Sequence, residues 1–409
     1  MWWMNFIAYT ALFGVKIASL WNKKMRLWVN GRKNLAERIS QVIRPKDEVI
    51  WFHAASYGEF EEGKPLIERF RKEHPKFKII VTFFSPSGYE AHKNYPFVDG
   101  VFYLPTDITS HVKDFLDALN PKIAVFIKYE FWLNLLVELQ KREIKTYVVS
   151  ARFIPNSRFF KWYGCPFRKA LKTFDTIFVQ DADSVELLNA IGINQVVQAG
   201  DPRFDRVKAI FETEWKDEII ENFKQNDKIF IAGSVVDSTE FSLLQRLINA
   251  HPKTKFLIVP HEMDKTPMLK MINETNREAK LYSECDKNTN FSNTQVVIVD
   301  TIGILAKLYR YGDWAFIGGG FDLGIHSVIE ATVYGMPAVF GPNYAKNRPG
   351  IEMVELGACT SISNFEELDA WFSTLEFNDQ KLNALSKLAF EYTHGNCGAT
   401  DKIMEVIAP

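Results

Sequence analysis

Short apolar runs alternate along the chain with segments that have the period of a helix. In the first half the runs are continuous rather than alternating, as in strands that are buried on both faces of a sheet. These runs are Glu48–His53, Lys78–Phe84, Lys122–Lys128, Lys145–Ser150 and Asp175–Gln180. Helical spacing of apolar residues follows between them, for example at Lys64–Arg71 and Phe131–Lys141. This βαβα order predicts a parallel sheet.

The pattern pauses near Gly200–Val207, where polar, helix-prone sequence follows, and then begins again. The second set of runs comprises Lys228–Ala232, Lys255–Pro260, Gln295–Asp300, Asp313–Gly318 and Met336–Gly341. A length of 409 residues suits two or three domains at about 150 residues each. We therefore expect an α/β fold of two domains with a cleft between them, and functional residues in the loops that follow the strands.

Composition excludes several classes of protein. Apolar residues make up 47% of the chain, which is enough for packed domains and excludes a disordered protein. The 49 Lys and Arg residues balance 50 Asp and Glu residues, so we expect no nucleic-acid partner.

The sequence predicts no metal site. The four cysteines are far apart and form neither a C-x-x-C pair nor a disulfide framework. Asp181 and Asp183 match the D-x-D motif of some nucleotide-sugar enzymes, but they open a helical segment, where aspartate is expected as a cap and a first-turn acid.

The amino terminus departs from the overall charge balance. Residues 6–15 carry no charge, but Lys16 ends the run before it reaches the roughly 18 to 20 residues that cross a bilayer. Residues 1–45 contain eight basic side chains and one acidic one, and Trp2, Trp3 and Trp21 are of a type that favours the headgroup level. We expect residues 1–30 to form an uncleaved anchor or interfacial helix; the alternative is a hydrophobic helix docked on a partner or on the protein itself.

Two turns in the first half carry candidate chemistry. Ser56, Gly58 and Glu59 follow the first strand, and a carboxylate at the start of a helix is kept ionised by the helix dipole. Such a carboxylate can act as general base towards a hydroxyl, although acids are also ordinary at helix starts. The second turn contains Ser85, Ser87 and Gly88, which offer donors to a phosphate or sugar but are also common turn residues.

The strongest local signal lies in the second half. Gly318, Gly319 and Gly320 follow a strand directly, so their backbone N–H groups are expected to approach an anion. Glu330 lies four residues after His326, which predicts that both share one face of a helix. A carboxylate there suits the two hydroxyls of a ribose.

Together and in this order, these segments resemble the Kdo transferases, the 3-deoxy-D-manno-octulosonic acid transferases of lipopolysaccharide synthesis. The resemblance spans essentially the whole chain. It is carried by His53–Glu59 (HAASYGE), Thr82–Gly88 (TFFSPSG), Lys128–Asn134 (KYEFWLN), Ser150–Phe153 (SARF), Gly200–Asp205 (GDPRFD), Ala232–Ser234 (AGS), Asp300–Gly303 (DTIG) and Gly318–Pro342.

The resemblance implies a GT-B fold of two Rossmann-like domains that face a central cleft, plus the N-terminal hydrophobic anchor helix. Residues 31–206 would bind the acceptor and residues 207–409 the donor. The implied reaction moves Kdo from CMP-Kdo to a lipid A precursor, with inversion and without a metal or cofactor. The implied location is the cytoplasmic side of the inner membrane, peripheral or held by a single N-terminal anchor.

The resemblance also implies roles for individual residues. Glu59 would be the general base. The donor would be bound by Ser234, His261, Gly318, Gly319, Gly320, His326, Ser327 and Glu330. The acceptor side would be formed or supported by Ser56, Gly58, Ser85, Ser87, Gly88, Glu130, Arg152 and Arg203. Ser327 stands where the family often has Asn, and His261 stands where a Pro-Arg-His loop has Arg.

Two other functions are compatible with the residues. One is a GT-B transferase with a UDP-sugar donor and a lipid-linked acceptor. The other is an inactive, membrane-associated protein that binds a sugar nucleotide. Glu59 favours an enzyme, because a binding protein needs no base at that strand end.

Overall fold

The structure is a computed structural model that describes residues 2–262, 265–276 and 278–408. The chain divides into two compact units, one formed by Met1–Arg206 with Cys397–Pro409 and the other by Val207–Asn396. In the described residues each unit contains a sheet of seven strands, and all strand pairs are parallel. The predicted α/β class with two parallel sheets is confirmed.

The first sheet has the order β3-β2-β1-β4-β5-β6-β7, with β1 at Val49–Ala54, β2 at Lys78–Phe83, β3 at Gly100–Tyr103, β4 at Ile123–Ile127, β5 at Lys145–Ala151, β6 at Thr176–Val179 and β7 at Val196–Gln198. Its helices are α1 Trp2–Ala18, α2 Lys23–Asn30, α3 Leu35–Ser40, α4 Tyr57–Glu73, α5 Pro86–His92, α6 Thr109–Leu119, α7 Leu133–Lys141, α8 Cys165–Leu171 and α9 Ala182–Asn189. Helix α10, Pro202–Glu212, includes the boundary between the units.

The second sheet has the order β10-β11-β9-β8-β12-β13-β14, with β8 at Ile229–Val235, β9 at Lys255–Pro260, β10 at Glu278–Leu281, β11 at Thr294–Ile298, β12 at Trp314–Ile317, β13 at Ala338–Phe340 and β14 at Cys359–Ser361. Its helices are α11 Glu218–Lys224, α12 Ser238–Ala250, α13 Lys265–Glu274, α14 Leu305–Leu308, α15 Ile329–Thr332, α16 Arg348–Glu355, α17 Phe365–Glu376 and α18 Asp379–Gly395. Helix α19, Ala399–Ile407, belongs to the first unit.

The central strands are buried along their whole length, which explains their continuous apolar sequence. All six residues of β1 and all five of β4 are buried. Helices cover both faces of such a sheet, so neither face needs polar side chains. Burial on two faces therefore places the polar residues beyond the strand ends, where the candidate site residues lie.

The last thirteen residues differ from the predicted domain division. The prediction placed them in the second domain, but Cys397–Pro409 packs with the first unit. The apolar side of α19 enters the core that also contains α4, through Ile403, Met404 and Ile407. The carboxylate of Asp205 accepts a hydrogen bond from the backbone N–H of Thr400 at 2.6 Å and holds the start of this helix.

The N-terminal apolar segment forms α1, which is attached to the first unit through Asn5. The Asn5 Oδ1 accepts from the backbone N–H of Thr109 at 3.0 Å and from the side-chain amide of Asn134 at 3.3 Å. Apolar side chains on and after the helix remain exposed, including Phe6, Ile7, Phe13 and Trp21; those of Trp2 and Trp3 lie outside the described residues. No helix in the described ranges has the length and apolar character to cross a membrane, so a spanning anchor helix is not found.

Candidate active site

Glu59 lies in the first turn of α4, immediately beyond the carboxyl end of β1. Ser56 is the N-cap, and its backbone N–H donates to Glu59 Oε2 at 3.0 Å as part of a capping box. Burial raises the pKa of Glu59, and the negative charge of Glu130 raises it further, while Lys128 opposes both. The carboxylate is thus held at the carboxyl end of the sheet as a stronger base than an exposed glutamate.

Glu130 follows β4, and one of its carboxylate oxygens lies within hydrogen-bond distance of two ring nitrogens. His53 Nε2 lies 3.0 Å from Glu130 Oε2, and Trp132 Nε1 donates to the same oxygen at 2.7 Å. Burial raises the pKa of Glu130, but the bonds from His53 and Trp132 outweigh it, so the pKa falls below its ordinary value. Glu59 and Glu130, two carboxylates at the carboxyl end of the same sheet, therefore have pKa values shifted in opposite directions, as in acid–base pairs of enzymes.

A buried ionic network beside these carboxylates was missed by the sequence analysis. Glu62 is 1% exposed, and its carboxylate accepts from Lys128 Nζ at 2.6 Å and from Ser150 Oγ at 2.7 Å. Lys128 and Ser150 both have left-handed backbone, with φ of 67° and 58°, a conformation that costs about 1–3 kcal/mol at a non-glycine residue and is frequent at functional sites. The sequence did not single out Glu62, because the sequence does not show which helix face is buried.

The two predicted arginines of the acceptor side are paired with carboxylates. Arg203 contacts Asp201 Oδ2 at 2.6 Å and lies 3.7 Å from a Glu62 oxygen. Arg152 Nε lies 3.1 Å from Asp181 Oδ2. Asp181 also caps α9 through the backbone N–H of Ser184 at 2.8 Å, which confirms its interpretation as a helix cap.

The turn after β2 has a local structural role. Ser85 caps α5, its Oγ lies 2.8 Å from Ser87 Oγ, and the N–H of Gly88 points to it at 3.5 Å. A side chain at Gly88 would overlap the ring of Phe83. The capping explains these residue types, and their contact with an acceptor stays a prediction, as it does for Gly58.

A cavity of about 510 Å³ opens next to Glu130. Aromatic rings form most of its wall, with Arg152 and Arg158 among the remaining lining residues. Its aromatic members are Tyr129, Phe131, Trp132, Phe153, Phe159 and Phe167. Walls of this composition suit a ligand with an apolar part and an anionic group.

In the second unit the three glycines follow β12 as expected, but part of their hydrogen bonding is internal. The N–H of Gly318 donates to the Gly233 carbonyl at 2.9 Å. The N–H of Gly319 donates to Glu240 Oε1 at 2.7 Å, and the N–H of Val236 donates to Glu240 Oε2 at 2.8 Å. The loop therefore binds a carboxyl group as the sequence predicted for an anion, but this group belongs to Glu240 of the protein itself.

Glu240 was not predicted from the sequence. Its side chain is fully buried, and burial raises its pKa to about 7. Asp237 caps α12, so Glu240 stands at the third helical position, where a capping-box glutamate is expected. That D-x-x-E spacing was the available signal; the tertiary contact with Gly319 was not visible in it.

Close backbone approach explains two of the glycines. A Cβ on Gly318 would overlap the carbonyl oxygen of Ser234 and lie 2.8 Å from the Cα of Val235. A Cβ on Gly320 would lie 2.5 Å from the backbone nitrogen of Gly341. Ser234 itself has a φ of 55°, so strained backbone marks the ends of strands in both sheets.

The rings of His261 and His326 lie next to each other near this loop, with centroids 4.4 Å apart and planes tilted by 31°. Burial, together with the neighbouring His261, lowers the pKa of His326 to about 4, so His326 is a neutral imidazole at pH 7. It can donate or accept a hydrogen bond there, but it supplies no positive charge to a phosphate.

The predicted helical pairing of His326 with Glu330 is wrong. Helix α15 begins only at Ile329, so His326 and Ser327 precede it. The backbone N–H of His326 instead donates to the Gly318 carbonyl at 3.0 Å. Glu330 lies in the first turn of α15, where its charge contributes to the raised pKa of the fully buried Tyr309 after burial itself.

Comparison with known proteins places this site in context. Residues 33–206 match the family described as 3-deoxy-D-manno-octulosonic-acid transferase (kdotransferase). The chain is 29% identical over 306 residues to the 3-deoxy-D-manno-octulosonic acid transferase of Chlamydophila psittaci, covering 72% of this chain and 70% of that protein. It is 26% identical over 405 residues to the protein of that name from Haemophilus influenzae, covering 92% and 91%.

A solved structure shares the fold. The UDP-GlcNAc 2-epimerase from Neisseria meningitidis superposes with a TM-score of 0.61 at 15% identity, over 88% of this chain and 98% of that one. At this identity the match concerns the fold alone. The sequence relatives confirm the predicted resemblance to the Kdo transferases, which are glycosyltransferases. The structural match confirms the predicted GT-B-like fold.

Proposed function

We propose that this chain, a glycosyltransferase by its confirmed resemblance to the Kdo transferases, moves Kdo from CMP-Kdo to a hydroxyl of a lipid A precursor in lipopolysaccharide core synthesis. The observation that carries the proposal is Glu59, a partly buried carboxylate with a raised pKa, held at a strand end inside the segment that matches the family. We propose inversion at the anomeric carbon and no requirement for a metal or cofactor.

In the proposed reaction Glu59 takes the proton of the acceptor hydroxyl. The hydroxyl oxygen attacks the anomeric carbon of Kdo, and the bond from that carbon to the phosphate oxygen of CMP breaks, so that CMP leaves on the opposite face. An inverting displacement needs one base on the side of the attacking group. The capping bond from Ser56 fixes the direction of the carboxylate before the substrate arrives.

The donor would bind in the second unit. Gly318 and Gly320 admit the backbone of Ser234 and Gly341 at close range and so shape the loop, and the neighbouring rings of His261 and His326 would border the donor. Glu330 would accept from the ribose hydroxyls, and Ser327 would complete the site. Because Gly319 donates to Glu240, we assign it to the support of the loop rather than to direct contact with phosphate.

The acceptor would bind in the first unit. The aromatic cavity beside Glu130, with Arg152 and Arg158 in its lining, suits a lipid that carries both acyl chains and phosphate groups. Arg203, held by Asp201, would contribute positive charge on the same side. This composition favours an amphiphilic anion over a neutral sugar acceptor.

We propose that α1 attaches the protein shallowly to the cytoplasmic face of the inner membrane. Phe13 is 67% exposed on this helix, and basic residues follow it. The variant Phe13→Asp is expected to bind vesicles of phosphatidylethanolamine and phosphatidylglycerol at least about tenfold more weakly, because burying one such side chain contributes about 1.5–3 kcal/mol. Sedimentation with the vesicles measures the bound fraction.

The matched control for attachment is Phe377→Asp, which alters an 82% exposed phenylalanine of the second unit. We expect this variant to bind the vesicles like the wild type. We also expect added salt to weaken the vesicle binding of both proteins, because salt screens the attraction between the basic residues and the anionic lipid surface. Equal loss of binding in the two variants would contradict attachment through α1. So would a chain lacking residues 1–30 that stays wholly in the membrane fraction.

Incubation with CMP-Kdo and a tetraacylated lipid A precursor tests the proposed reaction. Mass spectrometry is expected to show the lipid with Kdo added, together with an equal amount of CMP. A thermal shift by UDP but not by CMP would support a UDP-sugar transferase instead. A shift by CMP with no Kdo added under any condition would support a binding protein without catalysis.

A further inference from the structure

A chain of buried hydrogen bonds leads through the first sheet to Glu130. Trp51 Nε1 donates to Thr82 Oγ1 at 2.8 Å, and that oxygen lies 2.9 Å from His53 Nδ1. His53 Nε2 lies 3.0 Å from Glu130 Oε2. Trp51, Thr82 and His53 are all fully buried, and the parallel register places His53 directly opposite Thr82. Backbone pairing of β1 with β2 therefore builds this chain.

The donors and acceptors along the chain determine which nitrogen of His53 carries its proton. An indole N–H only donates, so Thr82 Oγ1 accepts from Trp51. Among the hydrogen bonds of the described residues, His53 Nδ1 is the acceptor within reach of the Thr82 hydroxyl proton, so Nδ1 accepts it. The imidazole proton is left on Nε2, where it donates to Glu130, and each of these groups has its complementary partner.

The other tautomer is also close to a partner, which makes the Thr82 hydroxyl decisive. His53 Nδ1 lies 3.0 Å from the backbone carbonyl of Thr82, which can only accept. An N–H at Nδ1 would donate to that carbonyl and would leave Nε2 without a proton, facing the Glu130 carboxylate. Two facing lone pairs repel, so this arrangement needs one more proton, either on His53 or on Glu130.

We propose that Trp51 and Thr82 are positioning residues that hold His53 as its Nε2–H tautomer and so keep Glu130 ionised beside the base Glu59. This inference rests on the proposed function, in which Glu59 receives the acceptor proton. The charged groups that act on Glu59 are Glu130 and Lys128, and Lys128 is in turn paired with Glu62.

The consequence for catalysis follows from charge. An ionised Glu130 disfavours a second negative charge nearby and makes Glu59 more basic. If the tautomer changes, the His53–Glu130 pair takes up one proton and its negative charge is lost. Glu59 then ionises at lower pH, so the acid limb of the pH profile shifts to lower pH. It is also a weaker base, so the maximal rate falls.

Thr82→Val removes the hydroxyl at nearly constant volume, and Thr82→Ser keeps it. Histidine-specific ¹⁵N NMR, assigned with His53→Asn, is expected to show a neutral Nε2–H tautomer in the wild type and in Thr82→Ser. In Thr82→Val it is expected to show the proton on Nδ1 or on both nitrogens. Thr82→Ala serves the same purpose if the valine variant does not fold. An unchanged tautomer in the variant that lacks the hydroxyl would overturn the proposal.

Kinetics give the second readout. We expect Thr82→Val to lower the maximal kcat by about tenfold and to move the acid limb of kcat down by about one pH unit, with both restored in Thr82→Ser. Thr146→Val is the matched control, because Thr146 is equally buried in β5 and its hydroxyl donates to the Ile144 carbonyl outside this chain of bonds. An equal effect in both valine variants would refute a positioning role. If the wild type transfers no Kdo, the proposed function fails, and the NMR result still decides the tautomer.

Discussion

Glu59→Gln is expected to lose Kdo transfer while keeping its fold and its affinity for CMP-Kdo. Glutamine preserves the shape of the side chain and can still accept from Ser56 at the start of α4, where Glu59 now completes a capping box. It cannot take a proton. General base catalysis contributes about 10²–10⁴-fold, so we expect a fall of that size in kcat with little change in the KM for donor.

The pH dependence of the wild type sharpens this prediction. Because burial and Glu130 raise the pKa of Glu59, the carboxylate is protonated at a higher pH than an exposed glutamate. Transfer by the wild type is therefore expected to fall as the pH drops through that raised pKa, whereas the residual rate of Glu59→Gln should show no such limb. The assay is single-turnover transfer between pH 4 and pH 9. This range begins near the ordinary pKa of glutamate, about 4.3, and extends well above it.

Glu73→Gln is the matched control at the far end of α4. Its carboxylate pairs with Arg69 at the surface, and the two side chains are 41% and 36% exposed, so its loss is expected to cost less than about 1 kcal/mol and to leave transfer unchanged. Near-normal transfer by Glu59→Gln would reject Glu59 as the base, whatever the control shows.

Gly318→Ala is expected to disrupt the donor site and to destabilise the second unit. The added methyl group would overlap the carbonyl oxygen of Ser234, and both partners are backbone in paired strands or their ends, so neither can move aside freely. Overpacking of this kind costs about 1–3 kcal/mol. We expect a lower unfolding midpoint in urea and loss of the thermal shift that CMP produces in the wild type.

The control for this substitution is Gly395→Ala. Gly395 ends α18 in the same unit, and a Cβ there meets no atom within 4 Å. Alanine in a helix is favourable by about 0.5–1 kcal/mol relative to glycine, so this variant should unfold at the same urea concentration as the wild type or a higher one, with an unchanged response to CMP. A Gly318→Ala protein that behaved in the same way would contradict the close approach at Ser234.

The strands that the apolar runs did not predict share one property. They are β3, β7, β10 and β14, the outer strands of the two described sheets. An outer strand has a neighbour on one side only, and β7, β10 and β14 are partly exposed. Without burial on both faces these three strands need no continuous apolar run, so the pattern that identifies central strands is absent from their sequence. Strand β3 is the exception, because it is short and apolar and three of its four residues are buried.

The candidate site, like the strands, was predictable from the sequence only in part. The sequence placed Glu59 directly after a strand, as the structure does, but its role as the base came only from the family resemblance and stays a prediction. The order of motifs was sufficient for that resemblance. The partners of these residues were not predictable, because they come from distant parts of the chain. His53 meets Glu130 across 77 residues, and Gly319 meets Glu240 across 79.

By itself, the sequence determined the α/β class, the central strands, the family resemblance and the strand ends at which the candidate site residues lie. These features depend on local patterns, since burial on two faces requires a continuous apolar run wherever it occurs. Only the tertiary structure decided that Glu62 and Glu240 are buried, that His326 precedes its helix, that residues 397–409 return to the first unit, and that His53 lies between Thr82 and Glu130. Such contacts follow from strand order and register, which the spacing of residues along one chain does not contain.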